Sequence, residues 1–120
     1  MISPTGKGIR NDKEGSGEYG ASRGNRLHNG VDYLCDENQI VVAPFDLIVE
    51  REAIPKAGSP LSGIAWTRGM SKGKMFYFKP HKWLIGKGVK AGESIGIAQA
   101  VSKDYGLPRM KDHIHFQVDG

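Results

Sequence analysis

The chain has 120 residues, of which 17 are glycine, 38% are apolar and 25% are charged. That length holds one compact core, and a glycine share about twice the usual one argues for short strands and turns against a helical bundle. The formal charge of +4 is ordinary for a small domain; it suits a polyanionic partner such as a bacterial wall, while the lack of any RNA- or DNA-binding signature argues against nucleic acid.

Residues 1 to 25 are rich in Gly, Ser, Lys and Asn without periodicity, and read as a loop that wraps the domain. The opening "MISPTGKGIRNDKEG" has no apolar centre of a secretory signal. The expectation is a chain made in the cytoplasm that meets its target after lysis, in a phage particle or through a secretion machine. "GVDYLC" alternates and predicts a strand, and "DENQ" a turn. "IVVAPFDLIVEREAI" predicts two strands broken at Ala43-Pro44, because proline lacks the N–H that a ladder needs. "PKAGSPLSG" is a loop by composition, "IAWTRG" a strand and "MSKGK" a turn. "KMFYFKP", with three consecutive aromatics, predicts a strand. "HKWLIGKGVKAGES" carries paired glycine turns, and "IGIAQAV" is a further strand. "SKDYGLPRMKD" reads as a long loop, or a loop with one helical turn, and "HIHFQVDG" as the final strand. The sum is a mostly β, mostly antiparallel architecture with little helix.

Lys72, Lys74, Lys79, Lys82, Lys87 and Lys90 form a loose basic run broken by turns. No stretch approaches the roughly 18 apolar residues of a membrane helix, so no membrane partner is expected. Cys35 is the sole cysteine. It excludes an intrachain disulfide and a cysteine-rich zinc site, and reads as a buried structural thiol.

Histidines and carboxylates carry the chemistry. His113 and His115 lie at i, i+2 in a predicted strand, so their side chains share one face, with Cβ atoms roughly 6.5–7 Å apart. Phe116 and Val118 then point the other way, toward a core. Taken alone, the two histidines read more readily as exposed polar positions on a half-solvated strand. His28 and Asp32 are four apart, roughly 13 Å on a regular strand, and Asn29-Gly30 between them opposes a helix. A turn or bulge at Asn29-Gly30 brings the two back together; the plainer reading is a hairpin turn with Asp32 solvated. Taken together, HxxxD and HxH supply three His and carboxylate ligands for a catalytic zinc and one histidine left over as a base.

These residues resemble the lysostaphin/LytM-type zinc metallopeptidases, which are mostly peptidoglycan endopeptidases. "HNGVD" is similar to the family's HxGxD and "HIHF" to its HxHF; "VVAPF" and "VKAGESIGIA" stand between them in the family's order. The likeness covers about residues 22 to 118. It implies an antiparallel β-sheet fold of the LytM-like, duplicated-hybrid-motif type over residues 1–120, with 1–21 largely loop. It also implies zinc held by His28, Asp32 and His115, His113 as general base, and Gly30 as the glycine of the first motif. The implied partner is bacterial peptidoglycan or its peptide, met alone or within a phage or secretion assembly. One departure stands out. The family's further histidine, in a YxH segment, helps to stabilise the oxyanion; here the stretch is "FYFKPH", with Tyr77 or Phe78 at that place. Tyr77 and His81 are the candidates to replace it. "GEYGASRGNRLHNGVDYLC", "APFDLIV" and "KMFYFKP" are most similar to the branch containing vertebrate leukocyte cell-derived chemotaxin and related bacterial and phage proteins. That branch also lacks the histidine and is regarded as zinc-binding and signalling. Its cysteine equivalent to Cys35 is disulfide-bonded, whereas Cys35 has no partner in this chain. The second expectation is therefore a zinc-binding module that is catalytically weak or inactive and acts in binding, signalling or a virion.

Overall fold

A computed structural model describes residues 1–12, 15–18, 20, 30–107 and 109–120. Among them are eleven strands and one α-helix. In chain order the strands are β1 (Asn11–Asp12), β2 (Gly15–Ser16), β3 (Val31–Leu34), β4 (Ile40–Val42), β5 (Leu47–Ala53), β6 (Gly63–Arg68), β7 (Ser71–Phe76), β8 (Phe78–Pro80), β9 (Gly88–Val89), β10 (Ser94–Ala98) and β11 (His113–Val118); α1 spans Val101–Tyr105. A six-stranded sheet runs in the order β3-β11-β7-β6-β5-β9, a three-stranded sheet in the order β4-β10-β8, and β1 pairs with β2. The pairings are antiparallel. The expected mostly β, antiparallel class is what forms. No helix of the described residues is long and apolar enough to cross a membrane.

The break at Ala43-Pro44 does more than end a strand. It moves the chain from the three-stranded sheet (β4) to the six-stranded one (β5), and Pro44 accepts from the Ile2 amide at 2.9 Å instead of joining a ladder. Tyr77 makes the reverse move between β7 and β8. Its φ of +81° lies in a region that aromatic residues seldom occupy, held by the Tyr77 amide donating to Ser62 O (2.7 Å) and Tyr77 O accepting from Gln99 N (2.9 Å). "KMFYFKP" is thus not one strand, a correction to the sequence expectation. Alternation is blind to a single residue with reversed φ. "MSKGK" is corrected as well: only Gly69-Met70 turn, and Ser71 already pairs with Arg68. Gly69 takes the positive φ (+59°) that a two-residue hairpin turn asks for.

The core lies between the two larger sheets. Val41, Phe78, Ile95 and Ala98 come from the smaller sheet, and Leu47, Val49, Ile64, Trp66, Met75, Ile114 and Phe116 from the larger. Trp66 stacks on Phe116 with ring centroids 5.5 Å apart, and Phe45 meets both edge-on. Val118, expected in the core, is exposed, because β11 outruns the sheet that covers it. Cys35 is buried and free, as expected. The lysine run is dispersed: Lys72 and Lys74 lie on β7, Lys79 on β8 in the other sheet, and Lys82, Lys87 and Lys90 around β9.

Candidate metal and catalytic site

The larger sheet has a second face, opposite the core, and the candidate residues gather there. In β11, Ile114 and Phe116 turn inward while His113 and His115 turn to this face. β11 is flanked on both sides, with His115 opposite Asp32 of β3 and Phe76 of β7. Antiparallel pairing therefore brings residues 83 positions apart into contact: His115 Nδ1 stands 2.9 Å from Asp32 Oδ1. Asp32, His113 and His115 are 3%, 3% and 7% exposed, so the cluster is nearly dry.

The hydrogen bonds fix both rings. Gln117 follows His115 on the same face. Its amide nitrogen donates to Asp119 Oδ1 at 2.7 Å, which turns its Oε1 toward His115 Nε2 at 2.8 Å. Both ring nitrogens of His115 thus face oxygen atoms. His113 is held differently. Its Nδ1 donates to Lys111 O at 2.8 Å, which leaves Nε2 as the unprotonated nitrogen, 3.6 Å from Asp32 Oδ2. Burial pushes the His113 imidazole below its usual pKa, and the nearby Asp32 charge only partly opposes that. At neutral pH, His113 is then a neutral ring with a free lone pair on the site side.

Gly30 lies against the His115 ring and the Phe116 backbone. A Cβ there would stand 2.7 Å from His115 Cε1, so a side chain has no room beside the ring. Tyr77 lies across His113, with centroids 5.3 Å apart and rings nearly perpendicular, and Phe76 stacks on His115 at 6.2 Å. The Tyr77 hydroxyl is 3.1 Å from that of Tyr105 on α1. Burial, then the bond to Tyr105, raise the Tyr77 phenol well above its ordinary pKa, so it keeps its proton. His81 is occupied elsewhere: Nε2 is 2.8 Å from Ser94 Oγ and the ring stacks on Trp83 at 4.4 Å. Phe78 is fully buried in the core. Of the two residues named for the missing histidine, Tyr77 touches the site and His81 bonds to the other sheet.

His28 lies outside the described residues. Among the described residues no group of three His, Cys, Asp or Glu is close enough to hold a metal. Asp32 and His115 supply two donors. Their types, an imidazole and a carboxylate, and their facing lone pairs fit zinc with a third ligand still to be supplied.

The sequence reading missed several neighbours. Gln117 and Asp119 continue the i, i+2 series from His113, and that alternation could have found them. Arg10, Asp12 and Gly17 sit in the segment read as loop. Arg10 Nε lies 3.3 Å from Asp32 Oδ2, and a Cβ on Gly17 would stand 2.6 Å from that of Asp32; no periodicity marks them.

No family model matches the chain. Curated relatives do, among them two chemotaxins. Leukocyte cell-derived chemotaxin-2 of Bos taurus is 35% identical over 109 residues, covering 88% of this chain and 69% of that protein. The protein of the same name from Mus musculus is 36% identical over 114 residues, with the same coverage of each. Likeness at this level over most of both chains is common descent: the chain belongs to the leukocyte cell-derived chemotaxin-2 family.

Proposed function

We propose that the chain is a zinc-dependent endopeptidase acting on peptide bonds of bacterial peptidoglycan, with zinc held by His28, Asp32 and His115. The carrying observation is the buried cross-strand pair of Asp32 and His115, with the free Nε2 of His113 beside it. The likeness of "HNGVD" and "HIHF" to the LytM-type motifs supports the same reading. Zinc, when bound, supplies a Lewis acid that acidifies water and polarises a carbonyl. The chain's own residues do the rest. His113 Nε2 takes the proton of the attacking water, and its Nδ1 bond to Lys111 O orients it for that step. Tyr77 keeps its hydroxyl proton and can donate it to charge developing on the carbonyl oxygen, the task of the family's missing histidine. Access to the wall by lysis, in a phage particle or through a secretion system is part of the same reading.

A second reading has its own support. The Tyr77 hydroxyl is already engaged by Tyr105, and the curated relatives are named chemotaxins. In this reading the chain is a zinc-binding module with little or no turnover, acting in binding, signalling or a virion.

Purified walls separate the two. The peptidase reading expects soluble muropeptides that disappear with a chelator and with His113→Ala. No release from any wall type at any zinc concentration leaves the binding module. Elemental analysis tests the metal itself: about one zinc per chain is expected, by the usual stoichiometry of such sites, and Asp32→Ala should lose it. Full zinc in that variant would refute the ligand set.

A further inference from the structure

The amino-terminal hairpin reaches both working halves of the site. Arg10 is 2% exposed, and its backbone joins β3: Arg10 N donates to Asp32 O at 2.7 Å and Asp32 N to Gly17 O at 2.8 Å. Its side chain forks. Nη1 bonds both carboxylate oxygens of Asp12, at 3.2 and 3.1 Å. Nε ion-pairs with Asp32 Oδ2 at 3.3 Å, without the alignment of a hydrogen bond. Asp12, whose side chain is enclosed, accepts from the Lys111 backbone N–H through Oδ2 at 2.8 Å. Lys111 O is the acceptor that holds His113 Nδ1. Two lines thus leave one ion pair: Arg10 to Asp32 Oδ2, and Asp12 through the backbone N–H and C=O of Lys111 to the His113 ring.

We propose that Arg10 and Asp12 are positioning residues of the site. Arg10 holds Oδ2 of Asp32 so that Oδ1 is the oxygen presented beside His115, and Asp12 anchors Lys111 by its N–H, so that the carbonyl on the other side of the Lys111 Cα stays aimed at His113 Nδ1 and leaves the lone pair on Nε2. A planar fork serves two carboxylates at once, and a single ammonium does not. A salt bridge serving only stability would need neither the alignment with Lys111 nor the approach to the Asp32 oxygen turned away from His115. The proposal deepens the zinc reading above and rests on it for its purpose, but not for its geometry.

The first test uses the full zinc-free chain and nitrogen-15 NMR of its histidine rings. The unaltered chain should show one His113 tautomer, Nδ1–H, with a slowly exchanging ring N–H. Asp12→Ala should give signals of both tautomers and exchange roughly fivefold to tenfold faster, as loss of an ordinary hydrogen bond allows. A folded Asp12→Ala with the parent's tautomer and exchange rate overturns the Asp12 assignment. Should that variant not fold, Asp12→Leu, of similar size and without an acceptor, replaces it with the same two outcomes. The second test is zinc affinity of Arg10→Lys by chelator competition. The charge is kept, so only the fork is lost, and the dissociation constant should rise about 10–100-fold, as for other residues that orient metal ligands. An unchanged or lower constant overturns the Arg10 assignment. A purely stabilising pair would lower Tm and leave both readouts of the folded chain unmoved. A chain that binds no zinc at all refutes the zinc reading, while the ring N–H measurement still decides the Asp12 half.

Discussion

Asp32 works through two oxygens with different neighbours, His115 on one side and Arg10 and His113 on the other. Such division needs a carboxylate; an amide in its place would turn a donor toward Arg10 or His115. Tyr77 is the other residue whose local conformation matters. Its left-handed backbone puts the ring against His113, and strain of this kind costs on the order of 1–3 kcal/mol. If its hydroxyl serves the oxyanion, Tyr77→Phe should lower kcat on wall peptides by about 10²–10³ and leave the fold intact by circular dichroism. Equal turnover by the two proteins would remove Tyr77 from the mechanism. Cys35 permits a cleaner electrostatic test, remote from zinc chemistry. Burial, helped by the charges of Asp112 and Asp36, pushes its thiol from 9.0 up to about 12. The folded chain therefore keeps a proton that the unfolded chain releases as pH rises above 9.0. The associated stability is complete below that pH and is lost progressively between there and about 12. Urea unfolding over this range should show a steeper fall for the unaltered chain than for Cys35→Ala. Parallel curves for the two would contradict the raised value.

At the scale of elements, β11 matters most. It lies inside the six-stranded sheet, with core residues on one face and the histidines on the other. Strand alternation alone divides its functions, so the sequence made its two faces legible. Where each face meets cover was not legible. Ile114 has no exposure and Val118 is 56% exposed, although both stand on the same side. Ile114→Ala should lower unfolding free energy by about 2–5 kcal/mol, while Val118→Ala should stay within about 0.5 kcal/mol. Similar losses at both positions would mean that the burial of β11 is misassigned. The breaks between strands show the same limit. Pro44 announces its interruption because its ring removes an N–H. Tyr77 announces nothing, since its reversed φ is imposed by the Ser62 and Gln99 backbone on either side.

Across the whole molecule, two sheets enclose the core and an amino-terminal segment runs along the β3 edge of the larger one. That segment looked like loop because its two paired stretches are two residues each, too short for any alternation to show. Its backbone nevertheless covers the outer edge of β3, with Gly8 O accepting from Leu34 N and Ile9 bridging Tyr33. An open strand edge beside the site is thereby paired, and Arg10 and Asp12 arrive with it. The sequence by itself determined the antiparallel β class, the burial of the lone cysteine and the shared face of His113 and His115, since each follows from composition or from the two-residue period of a strand. Only the tertiary structure decided that Asp32 meets His115, that Tyr77 rather than His81 touches the site, and that a buried ion pair from the amino terminus stands behind both histidine and carboxylate. Those contacts join residues dozens of positions apart, through register and a reversed dihedral, which no local pattern encodes.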